Sequence, residues 1–137
     1  MTTRNAVAER FNDSLTRCNQ NELFIKTFYQ RFLLADPEVL RLFAKTNMQQ
    51  QETMLRASLY MMMLTSETSV AKGTFLSHTA AAHDHRQVPS YLYDVWLECL
   101  IATVAEIDPH FSELVESDWR TTMRAGLNYM KSAVKFD

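Results

Sequence analysis

Glycine and proline are scarce in this chain: two glycines and three prolines in 137 residues. Tight turns and hairpins rely on those residues, so a turn-rich β architecture is disfavoured and long elements are expected. Cysteine is scarce too. Cys18 and Cys99 stand far apart and lack metal-ligand spacing, which speaks against a disulfide framework or a zinc site. Two reduced core thiols and a cytoplasmic location are the expectation. Charge of one sign is also lacking. A formal net charge of −2 gives no reason to expect nucleic acid or an anionic membrane as partner. The opening Met1-Thr2-Thr3-Arg4-Asn5 has no apolar run of the signal-peptide kind. The longest apolar run, Leu59 to Leu64, is far shorter than the roughly 20 residues a spanning helix needs. Gly-rich phosphate loops, zinc spacings and a Ser-His-Asp arrangement are likewise missing.

What remains is helical. The hydrophobic fraction is 47%, enough for one core, and 1–137 reads as a single domain. Apolar residues at helical spacing mark a first helix over Asn5 to Arg17, with Val7, Phe11 and Leu15 on one face. Asn19 and Asn21 punctuate, and a second helix runs to about Leu34. Asp36-Pro37, a capping aspartate with proline at the first helical position, opens a short segment through Leu42-Phe43. A long helix covers Met48 to about Thr65, and a break spans Ser66 to Ser69. A short helix follows over roughly 70–83, softened by Gly73. Val88-Pro89-Ser90 starts an apolar helix through Ile107. Asp108-Pro109 repeats the aspartate-proline signature and is expected to open the last helix, to about Lys135. Strand alternation is absent.

Four clusters then stand in a telling order: Phe28-Tyr29-Gln30-Arg31-Phe32, Leu42-Phe43, Asn47-Met48-Gln49-Gln50-Gln51, and a histidine-rich stretch from His78 to His85. The pattern Phe-Tyr-x-Arg-Phe at 28–32 is followed by Asn-Met-x-x-Gln-x-x-x-Leu at 47–55. His-x-x-x-x-Val-x-x-x-x-Tyr then occupies 83–93, with Trp96 and Leu97 after it. Taken together, from about Phe24 to Met130, these resemble a bacterial single-domain globin, close to the globin half of flavohaemoglobins. The resemblance implies an all-α, globin-like fold of about seven helices, with the short fourth (D) helix missing. It implies haem b (iron protoporphyrin IX) as cofactor and a diatomic gas as ligand: oxygen, with nitric oxide and carbon monoxide as further candidates.

Carried over by position, the resemblance implies that Phe43 wedges against the porphyrin. Gln51 hangs over the open side of the iron, Leu55 packs on the same face, and Tyr29 reaches in from the second helix. Gln51 and Leu55 are four apart, so one helix face carries both. A phenol and a carboxamide can each donate a hydrogen bond to a gas that gathers negative charge in a pocket of low dielectric. A Tyr-plus-Gln pair implies tight binding and slow release of oxygen, which suits sensing, scavenging or oxygen-dependent chemistry better than transport.

Haem iron in globins is held by a proximal histidine. His83 has Val88 five residues on and Tyr93 ten, the register of the flavohaemoglobin globin halves. His78, in Ser77-His78-Thr79-Ala80-Ala81, resembles the ligand segment of some related bacterial globins, and both assignments stay open. His85 ranks behind them, and His110 lies in the wrong region. Tyr93 matches a tyrosine that tunes the histidine from behind. The acid that accompanies it in flavohaemoglobins is missing, since Val134 stands near its place. Arg86 and Lys45 are candidate partners of the haem propionates. Trp96 and Trp119 read as core. The implied alternatives are a nitric oxide dioxygenase or weak peroxidase served by an external reductase, and a haem-free globin-fold interaction or sensor module. A homodimer through the last two helices is a further expectation.

Overall fold

The computed structural model describes residues 6–65 and 88–133. Six helices stand among the described residues: α1 (Ala6–Asn19), α2 (Phe24–Ala35), α3 (Pro37–Leu42), α4 (Met48–Thr65), α5 (Tyr91–Ile107) and α6 (Glu113–Ala133). The expected break at 66–69, the short helix over 70–83 and Val134 lie outside the described residues, as do His78, His83, His85 and Arg86. No strand occurs among the described residues, in agreement with an all-α fold.

Each helix begins where local chemistry allows. Asn21 Oδ1 accepts the Leu23 N–H at 2.8 Å, turning the chain into α2. Asp36 sits in extended backbone and accepts the Glu38 N–H at 2.8 Å, and Pro37 takes the first helical position, where no N–H is needed. Asn47 Oδ1 accepts the Gln50 N–H at 3.2 Å at the start of α4. Without these acceptors those three N–H groups would lack side-chain partners in the chain.

The faces follow the 3.6-residue period. Phe11, Ser14, Leu15 and Cys18 form the buried face of α1. Phe24, Ile25, Phe28, Tyr29 and Phe32 do the same for α2. α2 packs across α5, α1 across α6, and α4 touches α1, α2 and α6. The common core includes Leu59, Leu100, Val104, Trp119 and Met123. Phe11 meets the edge of Trp119 at a centroid distance of 4.6 Å, which locks α1 to α6.

Asp108-Pro109 corrects the sequence expectation. The last helix does not start there. Asp108 closes α5, its N–H bonded to the Val104 carbonyl at 2.8 Å, and α6 begins at Glu113. Ser112 Oγ accepts the Val115 N–H at 3.2 Å as the actual cap. The reason is tertiary. The Asp108 carboxylate does accept the His110 N–H at 2.9 Å, as a turn-forming aspartate would. It is also engaged by Arg17 (Nε–Oδ1 2.6 Å) and by Ser14, whose hydroxyl donates at 2.6 Å. Trp119 Nε1 donates to Ser14 Oγ at 2.8 Å, so one buried network ties α1, α6 and the turn together. Burial alone would raise the Asp108 carboxyl. The hydrogen bonds from Arg17, Ser14 and the His110 backbone outweigh it and hold the group below its usual range. Beside it, Arg10 forks onto Asp118 at 2.6 and 3.1 Å.

Candidate functional site

α2, the α3–α4 corner and α4 bring three of the expected residues together. Tyr29 lies mid-way along α2 and is 4% exposed. Phe43 follows α3 directly, in the corner where the chain turns toward α4, and is half-buried. Gln51 is in the first turn of α4, also half-buried. The Gln51 Nε2 group donates to the Tyr29 hydroxyl oxygen at 3.1 Å. The Phe43 ring meets Tyr29 edge-on with centroids 5.9 Å apart and Phe32 at 6.2 Å. Leu55, one turn beyond Gln51 on the same face, is buried in the core. Tyr29, Phe43 and Gln51, from three elements, thus meet at one place.

Aromatic packing fixes Tyr29. Phe28 presents an edge to it at 5.0 Å and itself meets Phe32 at 5.3 Å and Trp96 of α5 at 5.9 Å. Such pairs favour one ring orientation over others. Arg31 anchors the outer side of α2, donating to Thr103 Oγ1 and Glu106 Oε1 of α5, each at 2.8 Å. The tyrosine therefore projects from a helix braced on its far side.

The electrostatics make Tyr29 a donor. Burial pushes its hydroxyl up to about 12; the hydrogen bond from Gln51 opposes this and the Glu52 charge adds to it. The phenol stays protonated at neutral pH. Its oxygen accepts from Gln51, and its own proton has no acceptor among the described residues. A buried O–H without a partner is costly unless something else takes the bond.

Lys26 and Glu52, which the sequence reading passed over, border this pair. Lys26 Nζ lies 3.1 Å from Glu52 Oε1, linking α2 to α4 beside the Tyr29–Gln51 bond. The available hint was positional: Lys26 is three residues before Tyr29 and Glu52 adjoins Gln51. Phe28, Phe32 and Trp96 likewise serve the site as packing.

The remaining candidates divide. Tyr93 is buried in the first turn of α5, three residues before half-buried Trp96. Lys45 is exposed, and so is His110, in the turn after α5. Trp119 is fully buried between α1 and α6, as a core residue should be. Among the described residues no three His, Cys, Asp or Glu side chains converge as a metal cluster of their own. No described helix is long and apolar enough to cross a membrane.

No protein-family model and no curated protein matches the chain. Among solved structures it is similar to a Pseudomonas aeruginosa protein described as structurally highly homologous to a human haemoglobin. The two share 29% identity over 95% of this chain and 99% of the other, with a TM-score of 0.90. The chain has the globin fold, and over nearly its whole length it is similar to a bacterial single-domain globin.

Proposed function

We propose that this chain, one globin domain over 1–137, binds haem and holds a diatomic gas reversibly in a pocket whose donors are Tyr29 and Gln51. The observation that carries the reading is the Tyr29–Gln51 hydrogen bond, which leaves the buried tyrosine proton unassigned. The residues fit the group. A porphyrin needs a flat apolar border, and Phe43 and Leu55 supply one beside two neutral donors. His83 or His78 would hold the iron.

Haem supplies an open coordination position for the gas. The chain does the rest. Tyr29 and Gln51 donate toward negative charge gathered on a gas molecule in the pocket, where low dielectric strengthens both bonds. Gln51 also orients Tyr29, since its amide occupies the phenol oxygen and turns the remaining proton outward. Leu55 and Phe43 keep water from competing for those donors. Oxygen is the favoured gas, because two donors reward the ligand that gathers most charge.

An optical titration with haem tests the reading. Wild type, His83→Ala and His78→Ala are each reduced and exposed to carbon monoxide. A sharp carbon monoxide band in wild type, lost or shifted in one variant, supports the haem globin and names its ligand. A wild-type spectrum with no Soret shift overturns it.

A further inference from the structure

Gln51 stands in the first turn of α4, a place where helices fray unless something ties them down. Asn47 caps that turn along the axis by accepting the Gln50 N–H. Sideways, toward α2, the described residues make two polar side-chain links. One is the Gln51–Tyr29 bond itself, and the other is the Lys26–Glu52 ion pair. The two are neighbours. Lys26 and Tyr29 are three apart on α2, hence on adjoining turns of one face, and Gln51 and Glu52 are consecutive on α4.

We infer that the Lys26–Glu52 ion pair is a positioning clamp: it holds the first turn of α4 against α2 and so fixes where the Tyr29 and Gln51 donors aim. Neither residue enters the pocket chemistry, and both act through the donor pair. The gas readout of this inference rests on the proposed function, whereas the clamp itself does not. Glu52 is placed to do this because its side chain is only 21% exposed, while Lys26, at 58%, reaches it from solvent. Exposed ion pairs contribute little to global stability, so the clamp shows in local order.

The test uses Glu52→Gln, Lys26→Met and the charge-swapped double variant Lys26→Glu/Glu52→Lys. With haem bound, both single variants should move the carbon monoxide stretch to higher frequency and speed oxygen release by about two- to fivefold, the span an exposed pair provides. The swap should return both readouts to wild type. Single variants that match wild type overturn the clamp. So do single variants whose stretches move in opposite directions, which is the mark of a charge effect, and so does a swap that restores nothing. In haem-free protein the same four chains are compared by solvent exchange of the Gln51 side-chain amide protons, assigned by their loss in Gln51→Leu. Faster exchange in both single variants, reversed in the swap, supports the clamp; equal exchange in all four overturns it. A wild type that takes up no haem defeats the proposed function alone, and the exchange measurement then decides the clamp.

Discussion

Two buried polar groups of this molecule, Asp108 and Tyr29, differ in what is left over. At the α1–α6 end, the Asp108 carboxylate receives Arg17, Ser14 and the His110 N–H, and Ser14 in turn receives Trp119. Each group there meets a partner within the chain. At the α2–α4 end, Tyr29 receives Gln51 and keeps a proton with no described acceptor. A saturated network is what stability asks of buried polar atoms, and an unsaturated one marks where something from outside is to be met. On the proposed function, that contrast separates scaffold from site.

The largest effect should come from breaking the saturated end. Asp108→Asn removes the charge opposite Arg17 and leaves a guanidinium beside a buried amide. Hydrogen bonds to a charged group contribute about 1.5–3 kcal/mol each and the carboxylate takes several, so even with Arg17 partly exposed the variant should unfold at clearly lower urea, while any carbon monoxide band keeps its position. A shifted band would blur the division between the two ends. The pH dependence has a definite sign. The folded Asp108 carboxyl lies below its unfolded value of about 3.9. Its stabilisation is therefore full above that pH and fades as pH falls toward the folded value. Acid titration of stability should show this limb in wild type and a weaker one in Asp108→Asn.

The second effect belongs to the unsaturated end. Tyr29→Phe keeps the ring contacts with Phe28 and Phe43 and deletes the O–H. A donor to a charged acceptor is worth about 1.5–3 kcal/mol, so oxygen release should accelerate roughly ten- to a hundredfold. Global stability should move by about 1 kcal/mol, since the lost hydroxyl oxygen accepts one hydrogen bond, from half-buried Gln51. Stopped-flow release and urea melts check the two halves. An unchanged release rate removes Tyr29 from the mechanism.

Next comes Trp119→Phe. It retains an aromatic against Phe11 but strips the indole N–H from Ser14. One neutral hydrogen bond contributes about 1 kcal/mol, and the smaller ring adds some packing loss. A thermal shift of several degrees with an unaltered pocket spectrum is expected. A loss as large as that of Asp108→Asn would mean that Ser14 cannot hold the carboxylate without the indole.

The unsaturated end was the more legible of the two in sequence. Tyr29, Phe43, Gln51 and Leu55 occur in an order tied to short elements with local start signals, such as Asp36-Pro37, and those signals operate within a few residues. The Asp108 network was invisible because it joins residues 91 and 94 positions apart. Read locally, Asp108-Pro109 means a helix start, and Arg17 of α1 converts it into a helix end. Lys26 and Glu52 were missed for a related reason: their pairing depends on how α2 and α4 cross, which no spacing rule along one helix reveals. The Gln49-Gln50-Gln51 run could equally have been a solvated face, and the Tyr29 bond and partial burial separate Gln51 from its exposed neighbours.

The smallest effect refines the unsaturated end from within. Tyr29 titrates at about 12 because burial raises it, and Gln51 pulls the other way by donating to the phenol oxygen. Gln51→Leu deletes that donor and adds apolar surface, so the phenol should ionise later still. Raised above its unfolded value of about 10, the folded group gives stability that is whole below pH 10 and declines as pH climbs toward 12. Ultraviolet difference titration against Tyr29→Phe isolates this one phenol from the others. In Gln51→Leu its step should move to higher pH, and an earlier step would mean that water reaches the hydroxyl once the amide is gone. That outcome would make Gln51 a barrier to solvent first and an orienting donor second, and it would leave the tyrosine proton free to be met by water as well as by a gas.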